Sequence, residues 1–189
     1  RIATTHRTAT RHVTRWRAVR EAVAHEVRIE GFREDLGSYT RTYGSSDLDA
    51  ALLILPVLGL HPSDSDEVRG TIAAVRRALG AGGPLVYRSP PGDDGLPGGE
   101  GAFLPCSFWL VEALARSGDL ADAHRLFDEL VALGGDLALF PEEVDPATGD
   151  HLGNYPQGLS HAGLVQAALA LQPGPSTMPS ATLADVSGG

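Results

Sequence analysis

Apolar residues recur at helical spacing over most of the chain. Trp16, Val19, Val23 and Val27 follow at intervals of three and four, and Gly31 stands where such a helix stops. Ser45 and Ser46 precede an apolar run from Leu48 to Leu58 that is too apolar all round to lie on a surface. Ser65 or Asp66 is placed to cap a helix carrying Val68, Ile72, Val75 and Leu79. A long break rich in glycine and proline fills Gly80–Gly101. Helical period resumes over Phe103–Arg116, turns at Gly118–Asp119, returns over Ala121–Leu133, and recurs from about Gly158 to Leu171. Alternation of strand type is nearly absent, apart from a short hairpin expected around Leu85–Arg88. Six helices joined by turns predict an all-α architecture of antiparallel helical hairpins with long functional loops.

The ends lack this period. Residues 1–14 show neither helical nor strand spacing and are expected to be unstructured, and 172–189, rich in Pro, Ser, Thr and Gly, reads as a disordered tail. The organised part is thus expected over 15–171. The first residue is Arg1, with no signal-type apolar segment after it, which predicts a cytoplasmic location and either a cleaved chain or a piece of a longer one.

Composition narrows the function. The 189 residues carry a net charge of −9, from 24 acids against 15 basic residues, all of them Arg. That balance argues against nucleic acid or an anionic membrane as a partner. The apolar stretch Ala50–Leu60 is too short to span a bilayer and contains Pro56. One cysteine, Cys106, excludes an internal disulfide framework and reads as a small buried apolar residue.

Two classes of all-α protein compete. A helical-repeat interaction module without catalysis would account for Ser107–Leu133, which suits a tetratricopeptide-like hairpin. No second copy lies nearby, and solenoids need several. An α/α barrel enzyme instead carries its chemistry on loops. Two loops here are loaded with Gly, Pro, acids and aromatics, which favours the enzyme.

The first is Asp93–Cys106, where glycines on both sides of Glu100 let backbone approach a ligand closely. Glu100 is either a hydroxyl-binding carboxylate or an acid favoured near a helix start. Phe103, Phe108 and Trp109 follow, as core or as a sugar platform. The second is Leu139–Ser160. Glu142 and Glu143 follow Pro141 and precede Asp145; in extended chain, neighbours point to opposite sides, so one of the two acids at most faces a given pocket. Asn154, Tyr155, Gln157, Ser160 and His161 form a polar set suited to sugar hydroxyls. The acids with His151 and His161 match no zinc or calcium spacing, so no metal site is expected.

In order along the chain, Arg15-Trp16-Arg17, Tyr43-Gly44-Ser45, Leu48-Asp49-Ala50, Leu52–Pro56, Asp94–Trp109, Glu142–Pro146, Gly153–Gln157 and Ser160-His161 resemble the C-terminal half of glucoamylase- and trehalase-like members of glycoside hydrolase family 15. The resemblance implies part of an (α/α)6 barrel, and inverting hydrolysis of α-glucosidic bonds in a maltooligosaccharide or trehalose. Inversion uses two carboxyl groups about 6.5–9.5 Å apart, an acid for the leaving oxygen and a base for the attacking water. The resemblance places Glu142 as general base, with Glu143 as second choice, and Glu100, Trp109, Asn154, Gln157 and His161 as substrate-binding residues. It implies no cofactor, although its trehalase branch raises phosphate or Mg2+. The family's general acid lies in a Trp-Glu motif upstream of the Arg15 region, and no acid precedes Glu21 here. The expectation is therefore a fragment, inactive alone, that lacks the N-terminal half of the barrel.

Overall fold

The computed structural model describes residues 10–90, 92 and 100–172. The two expected disordered ends lie outside this set, except for 10–14 and Gln172.

Among the described residues there are six α-helices, as the apolar periodicity predicts. Helix α1 spans Thr10–Glu30. Its first turn falls in the segment expected to be unstructured. The physical reason is an i, i+4 pair that continues the period upstream: the rings of His12 and Trp16 stack at 5.8 Å. Gly31 closes the helix, donating its N–H to the Val27 carbonyl at 3.0 Å. A Cβ there would stand 2.6 Å from that oxygen. A hairpin follows, β1 (Phe32–Arg33) with β2 (Ser38–Tyr39).

The apolar run Leu48–Leu58 is not one helix. It forms a 3-10 turn over Ala50–Ile54 and then α2, Leu55–Leu58. Pro56 lacks an N–H and is tolerated only in the first helical turn, so the α-helix restarts there. Asp49 caps the 3-10 turn, its Oδ1 accepting from the Ala51 N–H at 2.7 Å. Helix α3 (Asp66–Leu79) begins under Ser65, whose Oγ accepts from the Val68 N–H at 3.4 Å. It buries Val68, Ile72, Val75 and Leu79, the stripe its spacing predicts. The hairpin β3–β4 pairs Gly80–Gly82 with Leu85–Val86, slightly upstream of its expected place.

Helix α4 (Leu104–Ser117) is the axis of the core, buried on every side but for half-buried Trp109 and exposed Arg116. Helices α5 (Leu120–Ala132) and α6 (Gly158–Leu171) pack directly on it. Gly163 lets α6 approach, since a Cβ there would meet the Phe108 Cβ at 3.0 Å. The Ser107 hydroxyl accepts from the Val86 N–H at 3.0 Å and pins β4 to α4. Arg76 and Asp122, 2.6 Å apart, tie α3 to α5.

The two loaded loops contain strands that the apolar pattern does not signal. Ala102–Phe103 (β5), Glu143–Val144 (β6) and His151–Leu152 (β7) form a three-stranded antiparallel sheet in the order β5-β6-β7. Strands of two residues are too short to display a period. No described helix is long and apolar enough to cross a membrane.

Candidate active site

The small sheet brings the two loops together. Phe103 pairs with Glu143, and Glu143 with Leu152. The backbone of Glu142 is held from both sides, donating to the Asn154 carbonyl at 2.9 Å and accepting from the Leu104 N–H at 2.9 Å. Its side chain is partly buried. One oxygen, Oε2, accepts both the Asn154 backbone N–H at 3.0 Å and the Asn154 Nδ2 at 2.7 Å. Oε1 has no partner among the described residues. Two donors on one oxygen fix the carboxylate plane and leave the other oxygen to accept a proton. Gly153 makes this possible: at φ 71° it lies so close that a Cβ would come within 2.9 Å of the Glu142 Cβ.

Glu143 points the other way, as adjacent residues in extended chain must. Its Oε2 accepts from the Gly101 N–H at 3.2 Å, and a Cβ on Gly101 would meet the Glu143 Cβ at 2.8 Å. Glu143 thereby ties the second loop to the residue after Glu100. Glu100 itself lines a cavity of about 430 Å3 with Tyr87, Asp145 and Leu152. Its Oε2 is buried with no partner among the described residues.

Among the described residues, the side chains of Gln157, His161 and Trp109 make no hydrogen bond to Glu142. Gln157 spends its side-chain oxygen at the start of α6, accepting from the Leu159 N–H at 3.3 Å. His161 stands one turn later, its Nδ1 2.8 Å from the Gln157 carbonyl and its ring 5.4 Å edge-on from Phe140. The buried Nε2 of His161 has no partner among the described residues. Trp109 packs against the core from α4. Ser160 is structural, donating from its buried hydroxyl to the Pro141 carbonyl at 2.7 Å and so holding the loop that bears Glu142. Cys106 is fully buried, and desolvation pushes its thiol up to about 12, leaving it protonated at neutral pH.

Sequence reasoning named no role for Asp49 and Arg88. Their side chains pair at 3.1 Å and, with Arg41, Leu52 and Leu55, line a second cavity of about 370 Å3. Asp49 lies within Leu48-Asp49-Ala50, but Arg88 is 39 residues away and only the fold brings them together. Among the described residues, no group of three or more His, Cys, Asp or Glu is placed to hold a metal ion.

With that geometry in hand, comparison with known proteins is decisive. The model of "Glycosyl hydrolases family 15" matches residues 2–169. The chain belongs to this family. The match takes in residues 2–14, ahead of Arg15-Trp16-Arg17 where the resemblance begins. Trehalase of Thermoplasma volcanium is 37% identical over 160 residues, covering 85% of this chain and 26% of that protein. Trehalase of Mycolicibacterium smegmatis is 38% identical over 159 residues, covering 84% of this chain and 24% of its own length. The family 15 chain thus spans about a quarter of these relatives. A solved glycosidase superposes with a TM-score of 0.69 at 26% identity, over 87% of this chain and 46% of its own. A glycosidase variant in complex with glucose matches to the same degree. The helical-repeat interaction module is not favoured.

Proposed function

We propose that this chain is the base-bearing part of an inverting glycoside hydrolase that cleaves α-glucosidic bonds, with trehalose as the first substrate to test and maltooligosaccharides as the second. The observation that carries the reading is Glu142, with Oε2 held twice by Asn154 and Oε1 without a partner among the described residues. In this mechanism Oε1 takes a proton from water as the water attacks the anomeric carbon, while Asn154 keeps the carboxylate in plane. Trehalase relatives and the glucose complex of a similar glycosidase support a glucoside substrate. Glu100, with Trp109, Gln157 and His161, is proposed to bind sugar hydroxyls from the surrounding loops. No Trp-Glu motif of the kind that the resemblance associates with the general acid lies upstream of Arg15 among these residues.

A partial (α/α)6 barrel fits the distribution of apolar surface. Central α4 is covered, whereas α1 at one end exposes Trp16, Val19 and Val23, and α6 at the other exposes Val165 and Leu169. Further helices on both flanks would cover these faces. The test is Glu142→Gln in the intact enzyme. It should lose about 10²–10⁴-fold in turnover with nearly unchanged substrate binding, because an amide cannot take the proton. Azide, which needs no base, should restore turnover of an activated α-glucoside in Glu142→Ala. Full activity in Glu142→Gln with loss in Glu143→Gln would shift the base by one residue.

A further inference from the structure

The N–H that Glu143 Oε2 accepts at 3.2 Å belongs to the peptide unit joining Glu100 to Gly101. That unit is planar, so holding its N–H also holds the Cα of Glu100 at its other end. From Ala102 onward the ladder fixes the chain: Ala102 pairs with Val144, Phe103 pairs with Glu143, and the Leu104 N–H reaches the Glu142 carbonyl at 2.9 Å. Gly101 is the one residue between that ladder and Glu100.

Space dictates a glycine there. A Cβ would stand 2.8 Å from the Glu143 Cβ and 3.1 Å from the Leu152 Cδ1. The same glycine leaves the backbone free to turn, because no side chain restricts its φ and ψ. Gly101 is also buried, so its N–H needs an acceptor. The Glu143 carboxylate meets both needs.

The group held in this way is Glu100. It lines the cavity of about 430 Å3 with Tyr87 and Asp145, and its buried Oε2 has no partner among the described residues. A carboxylate that is to meet a sugar hydroxyl has to be oriented through its backbone, so that its oxygens stay available to the ligand. Glu142 is held differently. Its hydrogen bonds to Asn154 and Leu104 do not use the Glu143 side chain.

We propose that Glu143 is a positioning residue: its carboxylate, through the Gly101 N–H, sets the direction of the Glu100 side chain toward the substrate. It takes no proton in the reaction. The proposal rests on the reading of Glu100 as a hydroxyl-binding group and of Glu142 as the base.

In the intact enzyme, Glu143→Ala should raise KM for trehalose roughly ten-fold and leave kcat within about two-fold, since binding through Glu100 loosens while Glu142 keeps its partners. Glu143→Gln keeps an acceptor oxygen at the same reach and should return KM to the wild-type value. Glu143→Asp keeps the charge but falls one methylene short. It should behave as Glu143→Ala does, and it tests the same point should the alanine variant not fold. Hydrogen exchange at the Gly101 amide should be faster in the Ala and Asp variants and unchanged in Gln. In a Glu100→Ala background, Glu143→Ala should add nothing to KM, because a residue that acts through another has no effect once the other is gone. Additive effects of the two changes, exchange that ignores Glu143, or a KM raised by Glu100→Ala but not by Glu143→Ala would overturn the proposal alone. Failure of the underlying reading looks different. Glu100→Ala then leaves the kinetics unchanged, or Glu143→Gln loses about 10²-fold or more in kcat, and the proposal falls with it.

Discussion

At the scale of single residues, two adjacent glutamates have different surroundings for a simple reason. Extended backbone sends Glu142 toward Asn154 and Glu143 toward Gly101. Glu100 can be separated into its two readings by experiment. As a hydroxyl-binding group it contributes charge-assisted hydrogen bonds, and in the intact enzyme Glu100→Ala should lower kcat/KM by about 1.5–3 kcal/mol equivalent for short and long substrates alike. A drop in Tm with unchanged kinetics would instead make it a local structural acid. Cys106 supports a prediction on pH. Its folded thiol is raised from 9.0 to about 12 by desolvation, and Tyr39 from 10.0 to about 12, also by burial first. Between those values the unfolded chain has lost protons that the folded chain keeps, so stability is full below about pH 9 and falls as pH rises toward 12. Urea melts at pH 8 and pH 10.5 should show the decline, and Cys106→Ala should make it shallower. An equal slope in the variant would place the alkaline loss elsewhere.

At the scale of elements, α4 and α6 form the contact on which the site loop rests. Ser160 on α6 holds the Pro141 carbonyl one residue before Glu142, and Gly163 one turn on lets α6 meet Phe108. In Gly163→Ala the helix gains about 1 kcal/mol of propensity. The added Cβ meets a fully buried ring residue at 3.0 Å, and overpacking there costs about 1–3 kcal/mol. The net expectation is a loss of about 1 kcal/mol and a Tm lower by about 2–4 °C, read by calorimetry. A rise in Tm would mean that Phe108 yields freely. Elements also show where a sequence is hard to read. Helices α3 to α6 carry their period over about four turns each, whereas β5, β6 and β7 have two residues each and exist only because their neighbours do.

At the scale of the whole molecule, the exposed faces of α1 and α6 and the position of Glu142 point to one expectation. The chain by itself should release no glucose from trehalose, maltose or maltotriose. It has a proposed base but no upstream acid, and an alkoxide leaves very slowly unless it is protonated. Turnover that disappears in Glu142→Gln would show that another group, Glu100 first among them, donates the proton.

The chain alone determined its helices, since Val68, Ile72, Val75 and Leu79 and the caps Ser65 and Gly118 act locally, through spacing and backbone hydrogen bonds. It also carried the family, through motifs that survive in linear order. Only the tertiary structure decided that Asn154 serves Glu142, that Gly153 and Gly101 are the spaces against which the two glutamates lie, and that Asp49 meets Arg88. It likewise gave the loaded loops a sheet. The physical reason is range. A helix turn is written by residues three and four apart, whereas Asp49 and Arg88 are 39 residues apart, and what they do together exists only after the intervening chain has packed.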